Sequence, residues 1–177
     1  LLSARRDHNA AETLSRRALA IHEKTQDNAE IATSLNQLAG ILYAKGDYPA
    51  AVSLYSRALK TQEEELGPNH PEVAAGLNKL AFILKDQGDY AASENAVRRA
   101  LSIFEKALGP NHPEVAKQSI NLAYLLSTRG DYAGARSLYR RALPIAEKEL
   151  GADNALVQAI RKNLAELERQ SKPAPDR

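Results

Sequence analysis

Apolar residues recur along this chain at steps of three and four, the spacing of a helix that buries one side. Leu77, Leu80, Ala81 and Leu84 draw one such stripe, and Val97, Ala100, Leu101, Phe104 and Leu108 draw the next. Between them stands a polar corner, Gly88-Asp89-Tyr90. The same stripe, corner and stripe return on either side of this stretch, and no segment predicts a strand.

The Gly-Asp-Tyr corner occurs at Gly46, Gly88 and Gly130, a step of 42 residues each time. On that step "EIATSLNQLAGILYAKGDY" (30–48), "EVAAGLNKLAFILKDQGDY" (72–90) and "EVAKQSINLAYLLSTRGDY" (114–132) fall into register. Self-similarity at such a period is the signature of a repeat array, each unit here being a helix A followed by a helix B. Gly46, Gly88 and Gly130 suit the left-handed position that ends helix A. Asp47, Asp89 and Asp131 suit the N-cap of helix B.

The stretch "LGPNHPEVA" stands at 66–74 and again at 108–116. Gly67 and Gly109 fall where helix B ends. Asn69 with Glu72, Asn111 with Glu114, and Asp27 with Glu30 have the spacing of a capping box. Pro71 and Pro113 fall in the first helical turn, where a missing N–H costs nothing. His70 and His112 are left to loop capping or to solvent. One repeat apart, with packed axes ~8–10 Å from their neighbours, they stand roughly 15–20 Å from each other. A shared metal, with Zn–N bonds of about 2.0–2.1 Å, does not span that distance.

Composition narrows the function. Hydrophobic residues make up 44%, enough for a core, and the formal net charge is only +2. That balance lacks the basic footprint of a nucleic-acid binder. There are no cysteines, so disulfides, zinc–thiolate sites and cysteine nucleophiles are excluded. No apolar run reaches the ~18–20 residues that span a membrane, and no signal peptide opens the chain. Phosphate-loop, Gly-x-Ser-x-Gly, His-Glu-x-x-His and EF-hand patterns are absent. The expectation is a cytoplasmic protein that is not an enzyme, with no cofactor and no metal.

The residues themselves resemble a known family. Leu38-Ala39, Leu42, Gly46-Asp47-Tyr48, Ala51, Tyr55 and Ala58 resemble the tetratricopeptide repeat. The longer unit, "LNxLA…GDY…RAL…LGPNHPEVA", is similar to the kinesin-light-chain type of that family. Three positions depart from the pattern: Ser93 stands for the small Ala, Val97 for the aromatic, and Ile120 for the first Asn of "LNxLA".

The resemblance implies an all-α, right-handed superhelical solenoid of antiparallel helix pairs, with three full repeats and two half repeats. On this reading residues 1–170 form a single solenoid: a half repeat at 1–24, repeats at 27–66, 69–108 and 111–150, and a capping helix at 153–170. Residues 171–177 read as a disordered tail. A fragment cut from a longer array accounts for the half-repeat start. Pro144 falls inside the last helix B, where it removes the bond to the Arg140 carbonyl, so a bend is expected between Arg140 and Ile145.

The resemblance also implies a protein–protein interaction scaffold that takes an extended peptide in a concave groove lined by the A helices. The groove side chains are then Asn36, Tyr43, Asn78, Lys79, Phe82, Lys85, Asn121 and Tyr124. Amides can pair with a peptide backbone of any sequence, and aromatic rings add broad apolar contact. Lys79, Lys85 and Lys117, offset by Asp86, give a mild positive bias that suits partners with acidic residues. Nucleic acid and membrane are not expected as partners. An alternative stays open, in which the array associates with itself through its repeat ends or serves adjoining domains.

Overall fold

The computed structural model describes residues 2–170, and for residues 2–6 the backbone alone. The tail expected at 171–177 lies outside the described residues. The described chain is helical from end to end: α1 (Leu2–Thr25), α2 (Asn28–Ala44), α3 (Tyr48–Leu66), α4 (Pro71–Gln87), α5 (Tyr90–Leu108), α6 (Pro113–Thr128), α7 (Tyr132–Leu150) and α8 (Ala155–Gln170). This is an all-α repeat fold, with α2, α4, α6 and α8 at the A positions and α3, α5 and α7 at the B positions. The first helix runs unbroken through residues 4–6, which carry Ala-Arg-Arg where later repeats carry Gly-Asp-Tyr.

The Gly-Asp-Tyr corner closes one helix and opens the next. At Gly88 the backbone is left-handed (φ 91, ψ 0), a conformation that an L side chain adopts only under strain. The following Asp89 N–H reaches back to the Leu84 carbonyl at 2.8 Å, the long bond of a Schellman-type ending. The Asp89 carboxylate then accepts from the Ala92 N–H at 2.9 Å and starts α5. Asp47 and Asp131 do the same for α3 and α7. One aspartate thus serves two helices, which folds each B helix back on its A helix.

The opposite corner differs from the capping-box expectation. The N-cap of α4 is His70, not Asn69, and that of α6 is His112, not Asn111. Each imidazole Nδ1 accepts the backbone N–H two residues on, from Glu72 and from Glu114, at 3.2 Å. The proline explains the displacement. A residue before proline is held extended, and His70 (φ −73, ψ 142) has that backbone, which is also the N-cap backbone. With Pro71 as the first helical residue, the cap falls on the histidine and Asn69 stands one place too early. Asn154 fills the same slot before α8, its Oδ1 accepting from the Leu156 N–H at 2.9 Å. Asp27, with no proline behind it, caps α2 through the Glu30 N–H as the spacing predicts.

The chain divides into two compact units, Leu1–Ala96 and Val97–Arg177, with the boundary inside α5. In the first, Leu35, Leu38 and Leu42 of α2 pack with Leu19, Ala51, Ala58 and Ile83 into one core. Each fully buried leucine contributes about 1.5–3 kcal/mol relative to an exposed one. The fully buried alanines Ala51 and Ala58 leave room for that packing. Ser93 occupies a small-residue position, and its hydroxyl donates to the Ala81 carbonyl at 2.7 Å, so its burial costs no unpaired group.

In the second unit, Leu122, Ala123 and Leu126 of α6, Tyr139 and Ala142 of α7, and Val157 and Ile160 of α8 are buried. The α7 helix is continuous from Tyr132 to Leu150 with Pro144 inside it, so the proline does not end the helix.

Candidate binding surface

In the first unit, three of the predicted groove residues come together. The Tyr43 ring of α2 lies 5.9 Å from Phe82 of α4 and 5.6 Å from Tyr48 at the start of α3. The Tyr43 hydroxyl donates to Asp86 Oδ2 at 2.5 Å. That bond, to an acceptor that repels a phenolate, pushes the Tyr43 hydroxyl up to about 12, with desolvation a lesser cause. Lys85 Nζ stands 4.6 Å over the Phe82 ring and 3.5 Å from Asp86 Oδ1. An aromatic face, a cation and a carboxylate are therefore already satisfied by one another here.

The amides are placed differently. Asn36 and Asn78 are half-buried on α2 and α4, and the Asn78 Oδ1 is enclosed without a hydrogen-bond partner. Lys79 is exposed. Of the lysines behind the acidic-partner expectation, Lys85 pairs with Asp86 and Lys117 with Glu114 at 3.5 Å.

In the second unit a furrow runs along α6 and α8 with α7 beneath it. One end is an apolar cavity of about 170 Å3, bounded by Ile120, Ile145, Ala146, Leu150 and Leu156. Ile120 is the residue that departs from the family's Asn, and its side chain makes this end apolar. One turn further along α6 the lining changes. Tyr124 and Ser127 of α6, Tyr132 and Tyr139 of α7, and Asn163 and Glu166 of α8 surround a concavity of about 240 Å3.

Tyr139 is buried, and burial pushes its phenol up; the Asn163 Nδ2 donates to its hydroxyl at 3.2 Å and works against that shift. Tyr124 and Tyr132 are 51% and 46% exposed, so both rings present a face to a ligand. Asn121 is exposed on α6.

Sequence reasoning missed Ile145, Leu150 and Leu156, whose helical stripe reads as core, and Tyr132 and Tyr139, which read as corner and packing residues. The departure at Ile120 was the available signal. Among the described residues no cluster of three or more His, Asp or Glu could hold a metal ion, and no helix is long and apolar enough to cross a membrane.

Helix pairs in tandem define a helical-repeat protein. The tetratricopeptide-repeat profile matches residues 1–64, 30–106 and 72–148, and the chain belongs to that family. Repeats of this family mediate protein–protein interaction, and the fold is typically a non-catalytic scaffold.

Solved structures similar to it include kinesin-light-chain-like repeat proteins. BtubC (BKLC) from P. vanneervenii shares 27% identity at a TM-score of 0.80, over 92% of this chain and 66% of its own. A kinesin-light-chain-type protein of Podosopora anserina with nearly identical TPR-like repeats shares 23% at 0.76, over 92% and 78%. The apo form of RapI shares 18% at 0.69, over 95% and 65%. The chain thus spans less than two thirds of BtubC and of RapI. A search of curated proteins finds no match.

Proposed function

We propose that this chain binds an extended segment of a partner protein along the faces of its A helices. The observation that carries the reading is the α6–α8 furrow, with an apolar cavity at one end and tyrosines, an amide and a carboxylate at the other. That combination suits a peptide: one apolar side chain enters the cavity, and polar groups fix direction and register. For the first unit we propose a peptide-contacting role for Asn36, Tyr43, Asn78, Lys79, Phe82 and Lys85. Asn121 and Tyr124 serve in the second unit.

The test is an immobilised peptide library followed by fluorescence anisotropy on the peptides retained. Tyr124→Ala is expected to weaken binding about tenfold, a loss of about 1.4 kcal/mol, and Asn78→Ala and Asn121→Ala to weaken it less. A library from which the chain retains nothing rejects the proposal.

One observation favours a second reading, self-association through a repeat end. Leu14 and Ile21, two turns apart on α1, are 64% and 59% exposed. The equivalent positions 42 and 84 residues on from Ile21 are Glu63 and Glu105.

A further inference from the structure

We infer that the tyrosine-lined concavity of the second unit is a recognition site for a basic side chain, the guanidinium or ammonium group of an Arg or Lys in the bound segment. This rests on the peptide-binding reading and names the chemistry of one subsite within it.

The first observation is the lining. Three tyrosines, Asn163 and Glu166 meet there, and no basic side chain is among the residues that bound the cavity. Among the described residues Glu166 has no ion pair. A carboxylate beside aromatic faces attracts a cation through both charge and ring quadrupole. An acidic peptide side chain would meet repulsion at the same place. The apolar end of the furrow leans the same way: Glu114 is paired with Lys117, and among the described residues the Glu149 carboxylate at its edge has no ion pair.

The second observation is internal to the chain. Counting back 84 residues, the positions of Ser127, Tyr132, Glu166 and Gln170 hold Tyr43, Tyr48, Phe82 and Asp86. Two of those first-unit residues hold a cation from their own chain, with Lys85 over the Phe82 ring and against the Asp86 carboxylate. Tyr48 and Tyr132 hold equivalent positions, whereas the carboxylate shifts by one helical turn, from Asp86 in the first unit to Glu166, the counterpart of Phe82, in the second. In the second unit Ser127 takes the place of the filling tyrosine, and Arg169, the counterpart of Lys85, is not among the lining residues. What the first unit supplies from its own chain, the second leaves for a ligand.

The experiment uses the full 177-residue chain. N-acetyl-arginine methylamide and its neutral isostere N-acetyl-citrulline methylamide are titrated separately while tyrosine ring resonances are followed by NMR. The arginine compound is expected to shift the Tyr124 and Tyr132 rings and to bind about tenfold more tightly than the citrulline compound. Glu166→Gln, a change at an exposed position, is expected to erase that difference.

Equal binding of the two compounds overturns the assignment, as do shifts confined to other tyrosines or an undiminished arginine preference in Glu166→Gln. The peptide library separates this from the broader reading. Retained peptides without enrichment of Arg or Lys leave the furrow a peptide site and sink the basic subsite. Arginine-selective shifts with an empty library do the reverse.

Discussion

At the scale of single residues, the most informative side chain is the histidine before each helix-opening proline. His70 and His112 each accept the second helical N–H through the imidazole Nδ1. Removing an N-cap acceptor costs about 1 kcal/mol. His112→Ala is therefore expected to lower stability by about that amount in urea unfolding, with Asn111→Ala close to neutral. A larger loss at Asn111 would return the cap to the asparagine.

Tyr43 gives a pH signature. Its phenol is raised from 10.0 to about 12 because the protonated form holds the bond to Asp86. The fold favours the protonated phenol, so this contribution is fully present below pH 10 and is lost as pH rises through about 12. A phenolate absorbance titration should show Tyr43 ionising late alongside the buried Tyr55 and Tyr139, and Asp86→Asn should bring one of these late groups down. An unchanged titration would show that the bond does not form in solution.

Within elements, two residues work against the helices that hold them. Pro144 leaves the Arg140 carbonyl of α7 without its donor, yet α7 runs through it and buries Tyr139, Ala142 and Ala146. Burial of that face outweighs the missing bond. An interior proline costs about 3 kcal/mol, and Ser102 stands at the equivalent point of the preceding repeat. Pro144→Ser should raise the urea midpoint at constant m-value. Gln118 is fully buried on α6 with both side-chain polar atoms unpaired. Gln118→Met keeps length and flexibility, removes the unpaired amide, and should stabilise by about 1–3 kcal/mol. A loss of stability on that change would mean that the amide has partners in solution.

These elements were legible in the sequence because their signals are local. Helical spacing, Gly88 at a positive-φ corner and Asp89 at a cap each need only a few neighbouring residues. The His70 cap was local too, but it turned on the backbone limit imposed by Pro71 and not on the spacing from Asn69 to Glu72. The Gln118 environment is set by helix packing and leaves no mark in its own segment.

For the whole molecule, the surface was legible only where equivalent faces of two A helices suffice. Tyr43, Phe82 and Lys85 meet as their A-helix positions suggest. The α6–α8 furrow needs three helices at once, so Ile145, Leu150 and Leu156 gave no warning of it.

Whether that furrow acts from a monomer turns on α1. Leu14 and Ile21 lie on one face, where a contiguous apolar patch would mark an interaction site. Light scattering after size exclusion, across a range of protein concentrations, reads the outcome directly. A steady mass near 19.3 kDa means that the exposed pair is tolerated singly and overturns self-association through this face. A mass that rises with concentration, and returns to the monomer value in the Leu14→Glu, Ile21→Lys double variant, assigns the α1 face to self-association. The double variant should leave peptide affinity unchanged, because neither residue lines the furrow. A parallel loss of peptide binding would tie the furrow to the assembled form.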